Sequence, residues 1–273
     1  MSFKLKPPLG TPLNKHHPIS KGLICSVLMN DPGTTSGYNY LKIFDSSVYN
    51  WQLTVNSGIF WKYGDLRFYY ETPLVFPDMR SLFGTEASCF AELKADFDPP
   101  VNANLNGPLS FGYGGDLHYP YTDGSLYLDT FRNDRLYLGK GVVDDLTQWH
   151  TFAITQKPGA NNWILYQNGL VGGIAAGEPA VTIPAAPNIG KGGGKSFYGH
   201  YRNFFLWNRA LAHEEILQMH LDPYAMFKQT YPIEISSVYV PAPIGWTGKI
   251  CGVTNPSKIC GIAVADIAKV CGI

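Results

Sequence analysis

Short β-rich runs bounded by turn residues recur along this chain, and that recurrence limits its fold more than any other feature. The runs are Leu23–Met29, Ile59–Trp61, Leu66–Tyr70, Ser88–Lys94, Leu109–Gly112, Ser125–Phe131, Arg135–Leu138, His150–Gln156, Trp163–Gln167, Ile189–Gly190 and Arg202–Asn208. Closely spaced strands with little helix between them predict an all-β sandwich or barrel rather than βαβ units. Two connections carry hairpin chemistry. Asn168-Gly169 follows the run Trp163–Gln167, and Asn-Gly is the pair that a two-residue type I′ turn demands. Thr130 to Arg135 supplies a second polar turn.

One segment, Ala212 to His220, reads as helix. Glu214 and Glu215 lie in its first turn, where carboxylates complement the helix dipole, and Pro223 ends the pattern. Ile216, Met219 and His220 fall on one face, while Ala212 is a weak N-cap. Residues 1–20 read as an extended N-terminal arm. From about residue 229 the composition changes to a threefold repeat: Lys249-Ile250-Cys251-Gly252-Val253, Lys258-Ile259-Cys260-Gly261-Ile262 and Lys269-Val270-Cys271-Gly272-Ile273. Each unit is expected to form a short strand with Lys, Cys and the terminal Val or Ile on one face. Three such strands enclose no core by themselves, so the tail is expected to stack on the sandwich or on other copies.

Composition narrows the function. Lys+Arg and Asp+Glu are both 21, giving zero formal net charge, and charged residues are 15% of the chain. Nucleic-acid binding thereby loses its main electrostatic attraction, and a disordered chain would need a higher net charge. No stretch reaches the roughly 18 apolar residues of a membrane helix, so neither nucleic acid nor membrane insertion is expected. Prolines and the His16-His17 pair break any apolar signal region at the N-terminus. The cysteines, Cys25, Cys89, Cys251, Cys260 and Cys271, are odd in number and form no CxxC pair. Cys25 and Cys89 sit in apolar runs, as small core residues do.

Trp149-His150-Thr151-Phe152-Ala153-Ile154-Thr155 and the Trp163–Leu170 hairpin resemble the corresponding segment of laminin-G-like, concanavalin-A-like jelly rolls. So do Ile189-Gly190 and the stretch from Phe197 to Leu211, together with the helix and Asp222-Pro223-Tyr224 after it. Upstream, Gly22 to Asn30 and Phe44 to Asn50 are similar to the opening strand and its Asp turn. The likeness spans roughly residues 21–228. It implies an all-β, two-sheet antiparallel jelly-roll sandwich with one short helix and a C-terminal β-repeat tail, residues 229–273. The entry around His17-Pro18 and the repeated tail resemble phage and phage-like structural proteins.

That resemblance implies a binding or structural protein, outside the cell or in a virion, that recognises cell-surface glycans. Its partners would be virion proteins and further copies of itself, a trimer being one form open to it. A carbohydrate-active enzyme or a bacterial adhesin module are the rivals. The closest approach to a catalytic trio is Glu92-Leu93-Lys94-Ala95-Asp96-Phe97-Asp98, ended by Pro99-Pro100. A retaining glycosidase needs two carboxyl groups about 5 Å apart, and no such pair is evident. Gly190-Lys191-Gly192-Gly193-Gly194-Lys195-Ser196 imitates a phosphate loop but has Ile189 where the first glycine belongs, and reads as a flexible loop. Laminin-G-like domains hold one structural calcium, for which Asp45 would be a ligand; Arg202 stands where a second acid is expected, which favours an Asx turn at Asp45. The candidate glycan platform is the tyrosine-rich segment 112–124, with Tyr113, Asp116, His118, Tyr119, Tyr121 and Asp123. Tyrosines there could equally pack the loop on its own sheet. Lys249, Cys251, Lys258, Cys260, Lys269 and Cys271 are the candidate assembly residues.

Overall fold

The computed structural model describes residues 6–8, 11–29, 42–54, 59–62, 65–68, 73–97, 108–110, 116–119, 121, 123, 125–129, 135–138, 145–159, 162–175, 188–192, 195–227, 249–250, 253–254, 258–259 and 262–263. The chain divides into two compact units, Met1–Gln229 and Thr230–Ile273.

In chain order the first unit's strands are β1 (Leu23–Val27), β2 (Lys42–Phe44), β3 (Gln52–Thr54), β4 (Ile59–Lys62), β5 (Asp65–Phe68), β6 (Leu74–Val75), β7 (Ala87–Ala95), β8 (Leu109–Ser110) and β9 (Asp116–His118). Then follow β10 (Leu126–Asp129), β11 (Arg135–Leu138), β12 (His150–Gln156), β13 (Trp163–Gln167), β14 (Leu170–Ala175), β15 (Asn188–Ile189), β16 (Lys191–Gly192), β17 (Lys195–Ser196) and β18 (Gly199–Trp207). One helix, α1, spans His213–Leu221. Every strand expected from the sequence is represented among the described residues; Arg135–Leu138, His150–Gln156 and Trp163–Gln167 match to the residue, and β18 begins at Gly199, three residues before the expected start.

Most of these strands form two antiparallel sheets, while β2 with β3 and β16 with β17 make separate two-stranded pairs. The larger runs β14-β13-β12-β7-β18-β5-β4, and β1 pairs with the far half of β18. The smaller runs β11-β10-β9-β8-β15-β6. Between them lies an apolar core of Cys89, Ala91, Leu93, Leu117, Leu126, Leu128, Phe152, Ile154, Tyr201 and Phe204, among others. Cys25 and Cys89 are buried free thiols, and burial pushes Cys89 up to about 12, so it stays protonated.

β7 and β18 are buried along almost their whole length, because the larger sheet is covered on both faces. Phe90, Phe205 and Trp207 point away from the inner core into a second cluster with Ile216, Met219, Met226 and Phe227. The bulge in β18 between Tyr201 and Asn203 lets Tyr201 and Phe204, three residues apart, both face inward. Asn203 repairs the pairing there: its side-chain oxygen accepts from Glu92 N–H at 3.0 Å, and its amide donates to Tyr224 Oη at 3.2 Å.

Helix α1 begins at His213, with Ala212 as its N-cap. Ala212 offers no side-chain acceptor, so the end is secured from the other direction. Glu215 accepts from Ala212 N–H at 2.9 Å, and Arg209 grips both Glu215 oxygens at 2.7 and 2.6 Å. Arg209 also donates to the carbonyls of Lys21 and Pro18, and Asn208 to that of Leu82. The Asn208-Arg209 pair therefore ties the helix entry to the sheet. The N-terminal segment is not a free arm from Thr11 onward. Ile19 is buried, Trp207 Nε1 donates to its carbonyl at 2.7 Å, and Asn14 N–H donates to Met226 O.

The type I′ hairpin forms as expected, with Asn168 at φ 52° and Gly169 at φ 79° between β13 and β14. The described ends of the phosphate-loop imitation are strands. Lys191–Gly192 and Lys195–Ser196 pair as a hairpin, and a strand rather than a helix follows.

In the second unit each described repeat is a hairpin rather than one strand. Lys249–Ile250 pairs with Val253–Thr254, and Lys258–Ile259 with Ile262–Ala263. An in-register strand would need a neighbour along its whole length; folding back lets each repeat satisfy its own backbone groups. Cys251, Cys260, Lys269 and Cys271 lie outside the described residues.

The Arg209 bonds hold the Glu215 carboxyl below the usual carboxylate range. A carboxyl whose folded pKa is depressed stabilises the fold above its unfolded value of about 4.3, and that contribution is lost as pH falls through the folded value. Glu215→Gln should therefore lower stability at pH 7 and converge on wild type as pH drops well below about 4. Urea unfolding at stepped pH measures this, and a gap that stays constant to pH 3 would show that the clamp contributes nothing.

Candidate functional site

The smaller sheet presents its polar residues on its outer face. Along β9, Leu117 enters the core and His118 faces out; along β10, Leu126 and Leu128 enter and Tyr127 and Asp129 face out. Registers Tyr127↔His118 and Tyr127↔Tyr137 set neighbouring residues side by side. His118 Nε2 lies 2.9 Å from Asp129 Oδ2, with the imidazole almost fully buried and the carboxylate partly exposed.

Beside this pair the segment 121–125 closes on itself. Tyr121 N–H donates to Ser125 O at 2.7 Å, and Ser125 N–H to Asp123 Oδ1 at 2.9 Å, an Asx turn. Tyr127 Oη donates to the other Asp123 oxygen at 2.7 Å. Slight desolvation pushes the Asp123 carboxyl up, but the bonds from Tyr127 and Ser125 outweigh it and hold the group below its usual range. Tyr121 meets the Tyr127 ring edge-to-face at 5.1 Å and the His118 ring at 5.8 Å. The result is a small surface of two half-buried tyrosines flanked by two partly or fully exposed carboxylates. Carboxylate oxygens accept from sugar hydroxyls, and aromatic faces pack against C–H surfaces, so the chemistry suits a polyhydroxylated ligand.

The structure therefore joins His118, Tyr121 and Asp123 from the sequence candidates and adds Tyr127 and Asp129. The signal for the added pair was the alternation Leu126-Tyr127-Leu128-Asp129, whose second and fourth residues share the His118 face. Tyr119 belongs elsewhere. It is fully buried, its ring packs edge-on against Phe152 at 4.7 Å, and its hydroxyl donates to Leu146 O at 3.1 Å. The stretch read as a loop contains strand β9, and strand alternation sends Tyr119 inward. Asp116 lies in β9, opposite Asp129 in register, and Tyr113 lies outside the described residues.

Asp45 is a turn residue. One of its oxygens accepts from Ser26 N–H at 2.6 Å and Ser47 N–H at 2.8 Å; the other accepts from Trp51 N–H at 3.2 Å and from the Ser47 hydroxyl. Four donors occupy both oxygens, so the carboxylate has no lone pair directed at a cation. The residues present do not fit the calcium site implied by the resemblance: Arg202 pairs with Glu92 at 2.8 Å, and no metal-binding group of three His, Cys, Asp or Glu exists among the described residues.

Glu92 lies in β7 and Asp96 just after its last residue, and each carboxylate is taken by a different guanidinium, Glu92 by Arg202 at 2.8 Å and Asp96 by Arg67 at 2.8 Å, rather than being paired as in a retaining glycosidase. Asp98 lies outside the described residues.

No protein-family profile matches the chain, and no curated protein does. Among solved structures it is similar to the botulinum neurotoxin serotype D/C binding domain, with TM-score 0.54 and 13% identity, covering 78% of this chain and 54% of that one. The serotype D ligand-binding domain in complex with N-acetylneuraminic acid gives TM-score 0.55 and 14% identity, covering 74% and 51%. The receptor-binding domain of mosaic serotype C/D gives 0.57 and 15%, covering 74% and 51%. The fold is an antiparallel jelly-roll β-sandwich. The chain spans about half the length of these neighbours, and at such identity the likeness is one of fold.

Replacing Asp45 by Ala strands the amides of Ser26, Ser47 and Trp51 at about 1–3 kcal/mol for each that stays buried. Asp45→Ala should fall by several kcal/mol in urea unfolding, and wild type should melt at the same temperature in EDTA and in millimolar calcium. A calcium-dependent rise in Tm that Asp45→Ala removes would restore the metal reading.

Proposed function

We propose that this protein is a carbohydrate-binding jelly roll, without hydrolytic activity, that serves as a virion-associated decoration, fibre or receptor-binding component. The outer face of the smaller sheet carries the reading. Tyr121 and Tyr127 stand edge-to-face between the carboxylates of Asp123 and Asp129, a combination of apolar ring and hydroxyl acceptor that sugars need. Botulinum neurotoxin binding domains share the fold, and one of them is in complex with N-acetylneuraminic acid, which supports a glycan as the ligand class. The laminin-G-like resemblance of the sequence and the phage-like repeat tail support the virion setting.

In this reading the sandwich engages the cell surface and the repeats of residues 229–273 join copies of the chain or attach it to other virion proteins. Zero net charge suits that role, because self-repulsion between copies is small.

Two measurements test it. On a glycan array wild type should select a subset of glycans, and Tyr127→Ala should bind them at least about tenfold more weakly, equivalent to about 1.4 kcal/mol; undiminished binding would remove the site. Deleting residues 240–273 should reduce the mass of the particle in light scattering, and an unchanged mass would remove the assembly role.

A further inference from the structure

The larger sheet also has an outer face, and α1 with the N-terminal segment covers only part of it. Beyond Phe90 and Phe205, the strands turn from apolar to charged residues. Register places Arg67 of β5 opposite His200 of β18, and His200 opposite Lys94 of β7, one row across three neighbouring strands. One carboxylate serves that row. Asp96 Oδ2 accepts from Arg67 Nη2 at 2.8 Å and Nε at 3.1 Å, while its other oxygen lies 3.3 Å from His200 Nε2.

The adjoining set is balanced. Arg202 lies between Glu92 at 2.8 Å and Asp65 at 3.5 Å, and Lys6 approaches Asp65 at 3.9 Å. Lys6 is pulled down to about 8, first by desolvation. At neutral pH four cations (Lys6, Arg67, Lys94, Arg202) thus face three carboxylates (Asp65, Glu92, Asp96), leaving one positive charge in excess among these described residues, before any proton on His200.

That excess is localised. Lys94 has no carboxylate within ion-pair distance among the described residues; its ammonium sits 5.3 Å from the centre of the Trp149 ring instead. The half-buried Trp149 indole also takes the Arg202 guanidinium at 3.8 Å and the edge of His200 at 6.2 Å. His200 is 7% exposed, and its Nδ1 is buried without a hydrogen-bond partner. The Lys94 ammonium thus makes no ion pair of its own, although its charge also acts on Asp65, and in the same row of the sheet a buried imidazole nitrogen has no partner.

We propose that this face is a second binding site, for an acidic saccharide: one carboxylate is held by Lys94 on the His200 side of the row, and the sugar ring lies along the exposed part of the Trp149 indole. A single uncompensated cation beside a flat aromatic ring matches a ring that bears one carboxylate. An acidic peptide would need a run of unpaired cations, and here Arg67 is engaged by Asp96 and Arg202 by Glu92. The site is separate from the Tyr121–Tyr127 surface, which lies on the other sheet and offers carboxylates rather than cations.

Isothermal titration with tetragalacturonate and with its carboxyl-reduced, neutral counterpart at low ionic strength tests the site. The acidic oligomer should bind at least tenfold more tightly than the neutral one and weaken as salt is raised. Lys94→Gln should reduce binding of the acidic oligomer tenfold or more, Lys94→Arg should retain it, and Tyr127→Ala should leave it unchanged. Lys94 makes no ion pair, so wild-type melting of Lys94→Gln confirms that the loss is one of binding. Equal affinity for both oligomers, binding of neither, or an undiminished Lys94→Gln would overturn the proposal. So would a tetraglutamate peptide that binds as tightly as tetragalacturonate.

Discussion

The pairing of β7 with β18 is the constraint on which the rest of the unit depends. These nine-residue strands lie at the middle of the larger sheet, and both their faces are withdrawn from water over most of their length. A strand in that position has no solvated face on which to place polar side chains. The inward residues Cys89, Ala91, Leu93, Tyr201 and Phe204 require the smaller sheet above them. The outward Phe90, Phe205 and Trp207 require a second cover, and α1, the 224–227 turn and Ile19 provide it. The clamp of Arg209 on Glu215 and two N-terminal carbonyls exists to hold that cover in place.

The same constraint distributes the polar chemistry. Where cover ends, charges begin: Glu92, Lys94 and Asp96 continue the outer side of β7 beyond Phe90, and His200 and Arg202 do so on β18. On the smaller sheet Tyr121 packs over His118 of β9 and Tyr127 of β10, and the outward residues of these strands are histidine, tyrosine and aspartate rather than aliphatic. Both binding surfaces considered above are therefore outer faces of a sandwich whose interior is mostly apolar. They differ in sign, one presenting carboxylates beside tyrosines, the other an ammonium beside a tryptophan.

Much of the architecture was legible in the chain. Strand runs, the Asn168-Gly169 turn and the helix with Ile216 and Met219 on its buried face all follow from local chemistry, because turn residues and side-chain periodicity act over a few positions. The candidate site was half legible. His118, Tyr121 and Asp123 were visible as an aromatic and polar cluster, but Tyr119 in the same cluster is a core residue. Composition cannot say whether such a stretch is loop or strand, and once β9 forms, alternation assigns its neighbours to opposite faces. The repeats of the tail were equally plain as repeats, yet the described ones fold as hairpins instead of single strands.

By itself, then, the sequence determined an all-β sandwich with one helix, and the turns that join neighbouring strands, since those depend on contacts close along the chain. Tertiary structure alone decided which polar residues meet. Asp129 reaches His118 across a strand pair, Asp96 reaches Arg67 and His200 across three strands, and Asp45 is filled by amides from both sides of its turn. Those encounters depend on sheet order and register between segments up to a hundred residues apart, which no local pattern encodes.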